Sequence, residues 1–267
     1  MAKISNFLII LSLIIICILP SIGLPYILPP AQIIEFMTNK FKTIKTLKII
    51  QITKIKDLNQ EEEKVFEECI YVMSPDLYRS EVAGQPGNRL IIHNGSRTLR
   101  IINRKINSDR ESQDLLYRLL LLAQNPKRLI NAFKDLGINL EKVSLTRLEG
   151  KIAYLIGEKE EGSPRLLVDK DLFVPLLLQY GDSLSLFSDY REIREQTWYP
   201  YKIVYSLKGA TVEEYIIKEI ILNPIIDLSL FDIPLARAQF SNSEIKREKP
   251  ARHRPVLLDS GEAGGPE

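Results

Sequence analysis

Short runs of β-branched and apolar residues, separated by turn dipeptides, constrain this chain more than any other feature. Strands joined by so few residues pair antiparallel, because parallel pairing needs a crossover of a dozen residues or more. Runs at 89–93 and 98–102 are joined through Asn94-Gly95. That dipeptide is favoured where both central turn residues need positive φ, so a tight hairpin flanked by His93 and Ser96 is predicted. Before it, strands are predicted over 47–55, 65–73 and 77–83.

Helical spacing brackets this meander. Ile33, Ile34, Met37, Phe41 and Ile44 recur every three or four residues after Pro29 and Pro30, which predicts a one-faced helix over 31–44. Leu115, Leu116, Leu119, Leu120 and Leu122 predict a second helix over 114–123. Leu129, Ile130, Phe133 and Leu136 predict a third, following Pro126 and capped by Gly137. Strands resume over 142–148, 151–158, 165–168, 176–179, 190–196, 199–206 and 211–222, punctuated by Glu149-Gly150, Gly162-Ser-Pro164, Lys208-Gly209 and Asn223-Pro224. The expected fold is α+β, a strongly curved antiparallel sheet with helices against its concave face. Such layers either fill each other or leave an apolar space between them, and periodicity does not distinguish the two. A cavity of a few hundred Å³ under the helices is what a lipid-binding chain would show.

The two ends differ from this body. After Lys3, the run from Phe7 to Leu19 is apolar except for Ser12. A helix of that length rises ~20 Å, short of the ~30 Å hydrocarbon core of a bilayer. With Pro20 as breaker and Ser21-Ile-Gly23 as small residues at a cleavage site, residues 1–23 read as a signal peptide for export. The alternative is an uncleaved leader anchoring the chain in the inner membrane. Ile16 before Cys17 argues against a lipoprotein attachment site, which needs a small residue there. At the other end, 236–267 has few bulky apolar residues and a basic run from Lys246 to Arg254, and reads as a disordered tail able to touch anionic headgroups.

Composition excludes several classes. Thirty-six Lys+Arg against thirty-four Asp+Glu give a net charge of +2, which argues against a nucleic-acid partner needing a strongly basic surface. Two cysteines exclude a multi-disulfide scaffold, and removal of the leader would leave Cys69 alone, read as a small buried residue. His93 beside a turn and His253 in the tail have no sequence-local partner for a metal. Gly181-Asp-Ser-Leu-Ser lacks the second glycine of a nucleophile elbow. No catalytic residue, metal or cofactor is therefore expected.

Several phrases, in order, resemble the outer-membrane lipoprotein-sorting family, the LolA-like periplasmic carriers. They are the opening helix and strand, Tyr71-Val-Met-Ser-Pro-Asp-Leu-Tyr-Arg79, Leu90-Ile-Ile-His-Asn-Gly-Ser-Arg-Thr-Leu99, Leu167-Val-Asp-Lys-Asp-Leu-Phe-Val-Pro175, Trp198-Tyr-Pro200, Leu222-Asn-Pro224 and Leu230-Phe-Asp-Ile-Pro234. The resemblance covers about Ala31 to Pro234, a carrier domain bounded at 31–235. It implies an incomplete β-barrel closed by helices, an apolar cavity that shelters lipoprotein acyl chains or other lipid between the inner and outer membranes, and monomeric action with an inner-membrane release complex and an outer-membrane acceptor. One position departs from the pattern. Where the family carries an arginine that holds the helical lid shut, Ser74 precedes Pro75, and a hydroxyl cannot make the same multi-donor contacts.

Candidates for the cavity lining are Met37, Phe41, Leu47, Ile49, Ile70, Val72, Ile92, Leu99, Leu116 and Leu119, with Ser74 at the lid-latch position. A one-residue register error would swap a strand's candidates to the other face. The alternative function is a non-enzymatic envelope sensor or structural protein that uses the same fold to bind a protein partner.

Overall fold

The computed structural model describes residues 27–56, 63–85, 88–95, 97–108 and 123–245. The leader at 1–23, the predicted helix at 114–123 up to residue 122, and the tail from 246 onward lie outside these residues.

Helix α1 (Pro30–Asn39) opens the described fold. Six strands follow: β1 (Thr46–Lys56), β2 (Glu63–Met73), β3 (Leu77–Val82), β4 (Arg89–Asn94), β5 (Arg97–Ile102) and β6 (Lys105–Ser108). After helix α2 (Pro126–Asp135) come β7 (Val143–Leu148), β8 (Lys151–Gly157), β9 (Arg165–Asp169), β10 (Pro175–Tyr180), β11 (Ser183–Arg194), β12 (Thr197–Leu207) and β13 (Ala210–Leu222). A 3₁₀ turn (Leu228–Phe231) leads into α3 (Ile233–Ile245). All thirteen strands form one curved antiparallel sheet in the order β6-β5-β4-β3-β2-β1-β13-β12-β11-β10-β9-β8-β7. The chain starts at the middle of the sheet and walks outward to β6. It then crosses through α2 to the far edge and walks back, so that β13 pairs with β1 from Leu47↔Leu222 to Ile55↔Glu213. The edges β6 and β7 do not pair with each other, which leaves the barrel incomplete.

Helices α1 and α2 cover the concave face. Ile33, Ile34 and Met37 of α1, with Leu129 and Phe133 of α2, pack on Leu47, Ile49, Ile70, Tyr78 and Ile91 in the main core, together with Phe187, Ile203 and Tyr215 from the second half. Helix α2 is well defined at its start. Pro126 occupies the first turn, and the Asn125 carboxamide oxygen accepts from the amides of Lys127 and Arg128 at 3.0 and 3.3 Å, satisfying donors that a helix start leaves open.

Four expectations need correction. Helix α1 stops at Asn39 rather than Ile44. Phe41 and Ile44 are buried from successive turns closed by Phe41 N–H to Thr38 O and Ile44 N–H to Phe41 O, a three-residue spacing that periodicity cannot tell from a helix. The β4–β5 turn lies one residue later than predicted, because Asn94 pairs with Arg97 across it; the Asn94 amide instead donates to Phe231 O at 3.1 Å. Strand β11 begins at Ser183, seven residues early. Ser183 and Ser185 face inward while Leu184 and Leu186 pack on an outer apolar cluster, which inverts the usual polarity of the alternation. Finally, the expected disordered tail is helical over its first ten residues. Ala236 of α3 is buried with Ile233 against Leu90, Ile92, Leu99 and Ile101 on the convex face.

Candidate functional site

Between α2 and the sheet lies a cavity of about 160 Å³. Its floor is one cross-strand row, Leu47↔Val72 and Val72↔Tyr78, set by the β1–β2 and β2–β3 registers. Phe41 and Ile44 from the turns after α1 form a wall, and Ala123, Leu129 and Ala132 form the roof. An apolar hole of this size has few partners for water and suits a hydrocarbon segment. It is smaller than the few hundred Å³ expected of a drug-sized or whole-chain site, so admitting a whole acyl chain requires α2 to lift.

Polar groups gather only at the rim of this cavity, and several of them fasten the roof to the sheet. Arg128 of α2 forms an ion pair with Asp76 in the turn between β2 and β3. The Gln124 carboxamide donates to Phe41 O at 2.8 Å and to Ile44 O at 2.5 Å. Ser74 also lines the cavity, and its backbone N–H donates to Lys45 O at 2.9 Å. The roof is thus fastened by charge, with the arginine on the helix and the carboxylate on the sheet, opposite to the polarity the Ser74 position implied. The sequence reading missed Asp76, Gln124 and Arg128 because it followed only the apolar positions of this helix. The signal was an arginine in the first turn of a helix that has no acidic residue there, leaving the cation to find a partner elsewhere.

The candidate lining residues separate into groups. Phe41, Leu47 and Val72 line the cavity. Met37, Ile49 and Ile70 belong to the same core but are packed away from the opening. Ile92 and Leu99 face the convex side under α3; their neighbour Ile91 is the inward residue of β4. The cause is legible: β4 is buried on both faces from Arg89 to His93, so alternation gives no clue to which residues point in. Leu116 and Leu119 lie outside the described residues.

Deeper along the same strands the concave face becomes polar. In the next inward row but one, Gln51 pairs with Glu68. The Glu68 carboxylate is fully buried and accepts from Gln51 Nε2 at 2.8 Å, from Thr53 Oγ1 at 2.7 Å and from the Ser80 hydroxyl. Arg89 Nη2 lies 3.2 Å from both oxygens of Glu213, which also accepts from the Tyr215 hydroxyl. His93 is buried within β4, with Nδ1 3.1 Å from Thr98 Oγ1, rather than sitting at a turn. Among the described residues no group of three or more His, Cys, Asp and Glu side chains is placed to hold a metal ion. Cys69 is half-buried instead of buried. Burial pushes its thiol up, with Lys48 opposing and Glu81, Glu67 and Glu68 adding to the rise, so it is a poor nucleophile at neutral pH. Among the described residues no helix is long and apolar enough to cross a membrane.

No family model and no curated protein matches the sequence. Solved structures do match the fold. An outer membrane lipoprotein-sorting protein domain from Vibrio parahaemolyticus aligns with a TM-score of 0.55 at 9% identity, over 78% of this chain and 97% of its own. A LolA superfamily protein from Nitrosomonas europaea aligns at 0.52 and 12% identity, over 78% of this chain and 100% of its own. A DUF1329 family protein from Desulfovibrio piger aligns at 0.51 and 11% identity, over 78% and 99%. At these identities the likeness is one of architecture, and the open sheet of thirteen described strands with α1 and α2 on its concave face is a LolA-like fold.

Proposed function

We propose that this chain binds and carries lipid, as the acyl part of a lipoprotein or as a lipid molecule, across the periplasm between the inner and outer membranes. The observation that carries this reading is the apolar cavity of about 160 Å³ under a helix fastened at its rim by polar contacts. An acyl methylene moved out of water gains ~0.8 kcal/mol, so the apolar cavity floor and roof supply the affinity. The ion pair in this fastening is exposed and therefore weak, Arg128 and Asp76 being 48% and 37% accessible, so it adds little to the resistance that the buried Leu129 and Phe133 set against opening of the roof. The lipoprotein-sorting fold supports the same reading at the level of architecture. On this reading the chain is a binding protein rather than a catalyst, exported by its leader, and it receives and delivers cargo at membrane-bound partners.

The test is to purify the protein from its own cell envelope under mild conditions and analyse it by native mass spectrometry and lipid extraction. Stoichiometric acyl material is expected, and Ala132→Phe, which fills the cavity from the roof, should lose it while keeping the circular dichroism of the parent. A protein that is empty in both forms would overturn the proposal.

A further inference from the structure

We infer that the cavity takes an acyl chain bearing an anionic group, and that this anion replaces Asp76 as the partner of Arg128. The inference rests on the lipid-binding reading above and adds the chemistry of the ligand's polar end.

Charge at the rim is one-sided. Arg128 and Lys45 both line the cavity, against the single carboxylate of Asp76 among its described lining residues. The start of α2 forms the same edge: Gln124 and Asn125 line the cavity and no acidic residue occupies the helix's first turn. A helix start favours negative charge nearby, so it adds to the two cations. Beyond this rim the lining is mainly apolar: Leu47, Val72, Phe41 and Leu129 offer no partner to a headgroup, and the Tyr78 phenol of the floor carries no charge to pair with an anion, so a charged headgroup stays at the edge while the chain enters.

Opening and recognition then share one residue. Lifting α2 to admit a chain separates Arg128 from Asp76 and would leave the guanidinium without its carboxylate. A phosphate or carboxylate on the ligand restores a charge-assisted, two-donor contact, whereas an uncharged headgroup leaves the cation to water. Asp76 is in this view a competitor for Arg128 in the empty state, and its removal should favour the anion.

Three amphiphiles with the same twelve-carbon chain distinguish these cases: dodecyl phosphate, laurate and dodecanol, each titrated by calorimetry against delipidated full-length protein at low salt. At least about tenfold tighter binding of the two anions than of dodecanol is expected. That ratio should fall to about two or less in Arg128→Gln, recover in part in Arg128→Lys, and rise about threefold in Asp76→Asn. Melting temperatures near that of the parent show that the variants are folded. The stronger of the two anions names the source, a phospholipid-type headgroup or a free fatty acid. Dodecanol bound as tightly as the anions, or a preference that survives Arg128→Gln, overturns the inference while leaving lipid binding intact. Failure of all three to bind overturns both.

Discussion

The two ends of the concave face are built from the same strands and are chemically opposite. Beneath α2, the rows Leu47–Val72–Tyr78 and Ile49–Ile70 are apolar and end in a hole. Two residues further along β1, the row Gln51–Glu68 begins a belt in which buried carboxylates meet hydroxyl, amide and guanidinium donors. A change of two residues in a strand is a change of ~7 Å along it, so the transition is abrupt. The difference teaches a division of labour. The apolar end offers space but little specificity, because neighbouring Ile and Leu residues interchange with small loss. The belt fixes register, because a one-residue slip of β2 would carry Glu68 to the convex face and bring Cys69 inward.

If this division holds, the two ends should respond differently to truncation. Phe133→Ala removes a fully buried ring from α2 where it seals the apolar end. A loss of about 4 kcal/mol is expected by chemical denaturation. Glu68→Ala leaves the donors of Gln51, Thr53 and Ser80 without their acceptor in a buried site, for an expected loss of about 3 kcal/mol. The sharper comparison is the quadruple replacement Gln51→Leu, Thr53→Val, Glu68→Leu, Ser80→Ala, which removes these donors and their acceptor together. It should cost less than Glu68→Ala alone, since an apolar substitute for a buried polar network is often nearly neutral. A quadruple variant less stable than the single one would show that the belt contributes net stability and would break the comparison.

At the other end, Ala132→Leu extends a side chain from the roof into the cavity. A gain of about 1 kcal/mol is expected in thermal or denaturant unfolding. A destabilised variant would mean that the space is too constricted for the added methylenes.

Much of this arrangement was legible in the sequence, and the illegible parts have specific causes. The strands announced themselves through β-branched runs and turn dipeptides, and Glu149-Gly150 and Lys208-Gly209 do adopt positive φ at both positions. Asn103 and Arg104 make the equivalent turn before β6 with φ of 50° and 65°. That hairpin was missed because neither residue is glycine. Leu47 could be placed on the cavity side because β1 alternates clearly, Val72 because it pairs with Leu47, and Phe41 because the turn after α1 continues the three- and four-residue spacing of the helix. Ile92 and Leu99 could not, because α3 covers the convex side there and makes both faces of β4 apolar. The polar belt was invisible for a related reason: Glu68 and Arg89 are ordinary charged residues in sequence, and only the register of distant strands brings Arg89 to Glu213.

The smallest expected effect comes from a carboxylate outside the belt, which isolates what burial contributes. Just after β8, Glu158 accepts from Lys142 Nζ at 2.6 Å and from Asn139 at 3.2 Å. The Lys142 hydrogen bond, then that of Asn139, holds the Glu158 carboxyl below its ordinary value, and the same contact holds Lys142 above its own. The signs follow from linkage. Because Glu158 is more acidic in the folded state, its contribution is complete above the unfolded carboxyl pKa and disappears as pH falls through the folded one. Lys142 contributes below the unfolded lysine pKa and loses that contribution as pH rises through its raised folded value. Melting temperatures of the parent and Glu158→Gln should therefore differ slightly at neutral pH and converge in acid. The neutral-pH difference should shrink in 1 M salt, where the Debye length is ~3 Å. The same pair of experiments on Glu68→Gln should show a larger difference that salt leaves in place, since no ion reaches a carboxylate enclosed by Gln51, Thr53 and Ser80. Equal salt sensitivity at the two sites would mean that burial is not what separates the belt from an ordinary surface contact.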